Sequence, residues 1–329
     1  MKKDLLNIVD EMQGKKILVI GDMVADIYLQ GIISRISREA PVLVLEQAAE
    51  KIIAGGAANV VNNAATLGGE VFAVGLLGFD NAAKGLKDIL TQNGADTKGL
   101  FCDEKRSTIT KTRIIAGGRA TVSQQIVRID KESKEKMQPA FEAQIIQYLK
   151  ERLHKVDGVV LSDYGSGTIT EAVRELITKY CNEKGIPTIV DSRYDIRRFR
   201  GVNYIKQNDA ELAAAMEVPL LTEEDLYNAG ARLLEETKAK GVLITRGEKG
   251  MTLFEETGAI HNIPVSDKSE VYDVSGAGDT CVAAMALALA AGVEPALAAE
   301  LSNYASGIAV RKLGTATVAA DELVQVLKK

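Results

Sequence analysis

The chain has 329 residues and a mass of 35.3 kDa, more than one compact core usually holds, so a large domain with an appendage, or two domains, is expected. Hydrophobic residues make up 46% and charged residues 26%, which excludes a disordered, collagen-like or disulfide-stapled chain. The net charge of −5 excludes a general polyanion binder, and 5% aromatics without Trp argue against a stacking platform for single-stranded nucleic acid.

Residues 1–14 mix acid and base and lack the apolar centre of a signal peptide. The run 16–21 is strand-length, rich in Ile and Val, and ends in Asp22, with Asp26 four residues on. Residues 27–53 and 107–130 break the pattern that follows elsewhere and read as β segments of a small lid, the second with a Gly117-Gly118 hairpin turn before Arg119. Between them, Gly55, Gly56 and Asn59 lead into a helix over 60–67. From 139 onward helix and strand alternate. The helical stretch 139–155 carries Phe141, Ile145, Ile146, Leu149 and Leu153 on one face, and 170–184 and 222–240 are also helical. The apolar runs 158–162, 186–190, 202–205 and 241–244 end at Asp163, Asp191, Asn208 and Thr245. The alternation predicts an α/β fold, a doubly wound, mainly parallel sheet with helices on both faces, as one domain over 1–329 with the lid inserted. Such sheets bind ligands beyond the carboxyl ends of their strands, where these polar residues gather. The longest uncharged stretch, 280–293, is too short to span a bilayer, so no membrane partner is expected. Cys102, Cys181 and Cys281 fit neither a disulfide framework nor a zinc set, and a reducing cytoplasm is the simplest setting.

The strongest local signal is Gly276-Ala277-Gly278-Asp279 ahead of a long apolar helix. Free amides at a helix start hold anions, and an Asp among them repels the anion it sits beside. The conflict resolves if Asp279 is a general base that deprotonates an acceptor hydroxyl while the amides hold a transferring phosphoryl group. An ordinary N-terminal cap explains the Asp equally well. Gly55, Gly56 and Asn59 suit a loop lying against sugar hydroxyls, and close helix packing accounts for them too. The P-loop pattern, the protein-kinase set and the dinucleotide turn are all missing from the sequence. His154 and His261 lie far apart and read as surface residues.

Gly21-Asp22-x-x-x-Asp26, Gly55-Gly56-Ala57-Ala58-Asn59, Asn208-Asp209-Ala210-Glu211 and Gly276-Ala277-Gly278-Asp279 follow one another in an order that resembles the ribokinase-like (PfkB) carbohydrate kinase family over nearly the whole chain. Four further segments, 34–41, 161–164, 271–274 and 312–315, look like the kinase half of the bacterial heptose-7-phosphate kinase/ADP-heptose synthase group; with Lys329 the last residue, the kinase half alone is expected. Ser166 stands where that group usually has Lys, and Asp191-Ser192-Arg193 where it has Asp-Pro-Lys. The resemblance implies an ATP-dependent kinase acting on a sugar or sugar phosphate, foremost the 1-hydroxyl of a heptose-7-phosphate. It implies Asp279 as base and Gly276, Ala277 and Gly278 as phosphoryl amides. Asn208 and Glu211 would organise magnesium and the nucleotide phosphates, with Thr245, Gly247 and Gly314 lining the nucleotide site. Asp22, Asp26, Gly55, Gly56, Asn59 and Asp163 would hold the sugar. Asp273 and Ser275 match positions that ligate a monovalent cation such as K+. A distal phosphate needs a cation, and Arg35, Arg38, Lys111, Arg113 and Arg128 on the lid are candidates, acting within a homodimer built through the lid. A kinase for a ribose-, fructose- or ketodeoxygluconate-type sugar, a silent sugar or nucleotide sensor, and a dehydrogenase are the alternatives.

Overall fold

The apolar runs form strands buried on both faces in the computed structural model, which describes residues 2–117, 123–132, 136–266 and 271–328. Helix α1 (Lys2–Glu11) precedes β1 (Lys16–Gly21), the long hairpin β2 (Met23–Ile36) and β3 (Leu43–Gly56), then α2 (Ala57–Thr66), β4 (Glu70–Gly78), α3 (Asn81–Gln92) and β5 (Asp96–Asp103). After β6 (Ile109–Gly117) and β7 (Gln124–Lys131) come α4 (Pro139–Arg152), β8 (Gly158–Asp163), α5 (Glu171–Lys184), β9 (Thr188–Ser192), β10 (Tyr204–Asn208), α6 (Asp209–Met216) and α7 (Glu223–Thr237). The chain finishes with β11 (Gly241–Thr245), β12 (Met251–Glu255), β13 (Ile260–Ile263), α8 (Ala277–Ala290), α9 (Pro295–Ala309) and α10 (Ala320–Leu327).

The main sheet has nine strands in the order β13-β12-β11-β10-β9-β8-β1-β4-β5. The seven from β11 to β5 run parallel, and β12 and β13 add an antiparallel edge. Alternate side chains of each strand enter two separate cores. Ile17, Val19, Val160 and Leu243 pack under α1, α2, α3, α8, α9 and α10, while Leu18, Ile20, Leu161 and Val242 pack under α4 to α7. Both faces are thus covered, which is why these runs are continuously apolar rather than alternating. α8 is buried from Asp279 to Leu289 and packs against α2, α9, β8 and β9. That explains its uncharged sequence; among the described residues no helix is long and apolar enough to cross a membrane.

Local chemistry sets the element ends. The Thr170 hydroxyl accepts from Val173 N at 3.3 Å to start α5, and Gly185, at φ 68°, ends it. Thr222 and Asp225 form a reciprocal capping box at the start of α7. α7 stops at Thr237, three residues short of the expected 240, because Lys238 turns into the left-handed region at φ 55°. α4 covers most of the expected 139–155 and ends in a 3₁₀ turn over Leu153–Lys155.

The second sheet has the order β3-β2-β6-β7, with β2 antiparallel to β3 and parallel to β6, and β7 antiparallel to β6. It fits a lid. Its strands fall on the two stretches that broke the α/β pattern; Gly118 and Arg119 of the expected turn lie outside the described residues. Register aligns Asp26 with Lys111 and Asp130, and Tyr28 with Arg113 and Arg128, so these six share one face of the lid. The opposite face carries Ile27, Leu29, Ile114, Val127 and Ile129.

Candidate active site

β1 and β8 are neighbours, but the chain leaves β1 for β4 on one side and returns to β8 on the other. Strand order reverses there, which opens a crevice at the carboxyl ends. A cleft of about 300 Å³ lies at this edge, bounded by Asp163, Tyr164, Asp191, Arg193, Lys206, Asn208, Glu211, Val274, Gly276, Gly278 and Asp279. Of the residues singled out in the sequence, Asp163, Asn208, Glu211, Gly276, Gly278 and Asp279 meet in it.

Asp279 sits in the first turn of α8 and is 5% exposed. Its Oδ2 accepts from Asn59 Nδ2 at 2.8 Å and its Oδ1 from the Tyr164 hydroxyl at 3.1 Å. Burial foremost, with the nearby Asp191 carboxylate, pushes its pKa up to about 6, against the opposing pull of Asn59, Lys206 and Tyr164. At neutral pH the group is about nine-tenths ionised and ready to accept a proton. Asn59 is held in turn: Asn63 Nδ2 donates to its Oδ1 at 3.0 Å, and Asn63 Oδ1 accepts from Thr280 at 3.1 Å. Asn59 was expected against a sugar; it is fully buried and points at the carboxylate.

Gly276 precedes α8 at φ 80°, and a Cβ there would lie 2.6 Å from Asn59 Nδ2 and 2.8 Å from Thr315 Cγ2. Only glycine lets the chain turn into α8 this close to Asn59 and the Asp279 carboxylate it holds. The first amides of a helix have no intrahelical acceptor, and Gly276 and Gly278 border the cleft. The Ala277 amide, expected among them, instead donates to Val274 O at 3.3 Å.

All three of the expected sugar carboxylates hold protein. Asp22, fully buried, accepts from the amides of Tyr164 and Ser166 at 2.9 Å and of Thr168 at 3.2 Å. It shapes the loop that presents Tyr164. Asp163 accepts from Ser192 at 2.7 Å, Arg198 at 2.8 Å and the Gly165 amide at 3.2 Å. Asp26 pairs with Arg113 Nη1 at 2.6 Å and accepts from Thr315 at 2.9 Å. The Gly55 Cα approaches so closely that a Cβ would lie 2.6 Å from Asp26 Oδ2, and Gly56 continues from it into α2. Arg113, expected to meet a distal phosphate, is therefore neutralised by Asp26.

Asn208 and Glu211 cap α6 reciprocally: Asn208 Oδ1 accepts from Glu211 N at 2.7 Å and Glu211 Oε2 from Asn208 N at 2.8 Å. Both still border the cleft. Burial and then the Asp191 carboxylate raise the pKa of Glu211, so two crowded acids face one cavity. Thr245 lies beside Asn208 in register on β11, and Gly247 follows at the exposed strand end. Asp273 accepts from Ser275 N at 2.9 Å and Gly314 N at 3.0 Å, bracing the loop before α8. These bonds outweigh burial and keep its pKa low.

A second cavity of about 80 Å³ adjoins the first through Tyr164 and Arg193 and also touches Lys111, Arg128, Ser166 and Tyr194. Lys111 Nζ lies 5.2 Å above the Tyr164 ring, and Arg128 makes a two-point bond to Asp130 at 2.8 and 2.9 Å. Burial, and then Arg193 and Arg128, pull the Lys111 pKa down against Asp26 and Asp130. Sequence reasoning gave no role to Tyr164, Asp191, Arg193 or Lys206. Asp191 and Tyr164 were visible as strand-end polar residues, and Lys206 as a charge inside a buried strand.

The fold is that of the ribokinase-like proteins: the structure of Arabidopsis thaliana ribokinase complexed with ribose and ATP superposes with a TM-score of 0.72 at 19% identity, over 96% of this chain and 99% of that one. Together with the lid and the glycine-bordered carboxylate, this defines the class. The sequence pattern described as pfkB family carbohydrate kinase matches residues 14–322, and the chain belongs to that family. Among curated proteins it is similar to the bifunctional protein HldE of Citrifermentans bemidjiense, 43% identical over 308 residues, and to that of Azorhizobium caulinodans, 43% identical over 321 residues. These alignments cover 93% and 97% of this chain but 62% and 66% of the relatives, so the chain spans somewhat less than two thirds of their length.

Proposed function

We propose that the protein is an ATP-dependent kinase that phosphorylates the 1-hydroxyl of a heptose-7-phosphate. The observation that carries the kinase reading is Asp279: a buried carboxylate, pKa raised to about 6, beside the glycines that open α8. A site that only bound an anion gains nothing from a carboxylate there.

In this reading the acceptor hydroxyl takes the place of the Tyr164 hydroxyl at Asp279 Oδ1. The sugar oxygen attacks the γ-phosphorus, its proton passes to Asp279, and the bond from phosphorus to the β–γ bridging oxygen breaks to release ADP. Asn59 keeps Oδ2 fixed, so Oδ1 meets the substrate. Amides at the start of α8, from Gly276 and Gly278, face the developing phosphoryl charge. Glu211 and Asn208 border the cleft side by side, and magnesium would be held by these two, partly through water, where it would offset the nucleotide phosphate charge. Asn208, Thr245 and Gly247 adjoin on neighbouring strand ends, which favours this edge for the nucleotide, with Gly314 beyond Asp273. The low pKa of Asp273 suits a monovalent cation such as K+ shared with Ser275. ATP as donor argues for a cytoplasmic setting.

Lys111 and Arg193, with Arg128 beside them on its Asp130 partner, border the second cavity together with Glu132, and the surplus of cations favours a substrate that already carries a phosphate. Relatives at about 40% identity named HldE, and the segments 34–41 and 312–315, favour a heptose. Val127 and Ile129, 46% and 54% exposed on the outer face of the lid, favour a second copy of the chain as their cover. Its test is the oligomeric state of Val127→Lys, expected monomeric against a wild-type dimer. The decisive assay is ADP release over heptose-7-phosphate, the dephosphorylated heptose, ribose, fructose 6-phosphate and ketodeoxygluconate. Turnover fastest on heptose-7-phosphate, and lowered by Lys111→Met and Arg128→Ala on that substrate alone, is expected. Equal rates with and without the 7-phosphate refute the substrate, and no ADP from any sugar refutes the kinase.

A further inference from the structure

The cleft holds a charge that neither the family pattern nor the base assignment uses. Lys206 extends from the middle of β10 and is 5% exposed, and among the described residues its Nζ makes one hydrogen bond, to Asp191 Oδ2 at 3.0 Å. An ammonium has three donors, so two remain for a ligand. The direction in which they are free is set by α8: Nζ lies 2.7 Å from where a Cβ on Gly278 would sit. The other groups within 4 Å of that point are Lys206 Cε at 3.6 Å and the paired Asp191 Oδ2 at 4.0 Å. The Asp191 carboxylate, 3.0 Å from Nζ, pairs with the ammonium and holds it against this wall.

A lysine kept only to neutralise Asp191 has no need to border the cavity, nor to press against the one residue of α8 that lacks a side chain at that point. The amides supply partial positive charge and Lys206 a whole one, on the same wall.

We infer that Lys206 is a catalytic residue, its Nζ donating to the phosphoryl group in flight while Asp191 fixes its position; this rests on the phosphotransferase reading above. The transferring group has its three non-bridging oxygens facing the wall. One meets the α8 amides and another comes within reach of Nζ, so the negative charge that spreads over them in the transition state is met by a preorganised cation. Lys206 neither gains nor loses a proton in the step. The proton goes to Asp279, and ADP leaves with the bridging oxygen.

The test compares two ligands by calorimetry in the presence of magnesium: ADP, which lacks the terminal phosphoryl, and the imido analogue of ATP, which carries it without transferring it. Lys206→Met is expected to weaken the imido analogue by about 10-fold or more, the equivalent of a charge-assisted hydrogen bond, while ADP binding changes by less than about 3-fold. Its kcat should fall by about 100- to 1,000-fold, with the sugar KM nearly unchanged. Lys206→Met leaves Asp191 without its partner, so Lys206→Met/Asp191→Asn, which keeps the wall neutral, is measured alongside it and should show the same split. Equal weakening of both ligands in both variants, or of neither, overturns the proposal and leaves Lys206 a structural counter-ion. A wild-type protein that releases no ADP with any sugar strikes the kinase reading, whereas the binding comparison needs no turnover and judges Lys206 separately.

Discussion

Replacing Asp279 by Asn should make the protein more stable and inactive at once. The carboxyl is 5% exposed, and burial foremost raises its pKa from 3.8 to about 6. A carboxylate whose folded pKa lies above its unfolded one is destabilising when ionised, and the shift of about 2 units sets a ceiling of about 3 kcal/mol above pH 7. That cost is present above pH 6. It falls as pH drops through 6 toward 3.8, to about half at pH 5, because the folded state then takes up the proton more readily than the unfolded one. The amide is isosteric: its oxygen accepts from Asn59, and its NH₂ donates to the Tyr164 oxygen. The Tyr164 hydroxyl proton loses its acceptor, but Tyr164 borders the cleft, where water can take that bond. A gain of about 2 kcal/mol raises the Tm of a chain this size by about 3 °C. Scanning calorimetry at pH 7.5 and pH 5 reads the gap between wild type and Asp279→Asn, and a coupled ADP assay reads a rate loss of about 100- to 10,000-fold, the usual contribution of a general base. A gap that is as wide at pH 5 as at pH 7.5, or a variant less stable than wild type at pH 7.5, refutes the account of a buried charge held for chemistry.

Gly276→Ala places a Cβ at positive φ against Asn59 and Thr315; it should cost about 1–3 kcal/mol in urea unfolding and remove turnover through the displaced Asn59. Asp22→Asn offers one acceptor oxygen where two now serve three amides, so the 164–168 loop should lose about 1–3 kcal/mol of support, seen as faster amide exchange at Tyr164, Ser166 and Thr168. Arg198→Ala leaves the 2%-exposed Asp163 with only Ser192 and the Gly165 amide, and chemical denaturation should show a loss of about 1–3 kcal/mol. In the wild type, kcat should fall tenfold per pH unit below about 6 as Asp279 takes up its proton, a limb absent from the pH profile of nucleotide binding alone.

Much of the fold was legible because the strands are buried on both faces. The runs at 16–21, 158–162 and 241–244 sit within a residue of β1, β8 and β11, and Thr170 and Thr222 mark the starts of α5 and α7 by local capping chemistry. Asp279 and the two flanking glycines announced themselves by a conflict between charge and place that no distant residue is needed to see. The partners of that carboxylate were another matter. Asn59 is 220 residues away and looked like a sugar ligand, yet α2 packs on α8 and turns it onto Asp279. Asp22 and Asp163, alike in sequence as acids at strand ends, became a loop brace and half of a buried ion pair. Arg113 looked free for a phosphate until β2 and β6 paired and brought Asp26 within 2.6 Å.

The sequence by itself determined the alternation of elements, the edge of the sheet where polar residues collect, and the carboxylate at the head of α8. These depend on periodicity and on neighbours in the chain. Only the tertiary structure decided which side chains are left over for a ligand. A carboxylate or cation serves chemistry or architecture according to what lies within about 3 Å of it. Crossovers between distant strands set that distance: they bury Lys206 beside Gly278 and leave Lys111 to share the lid cavity with Arg128.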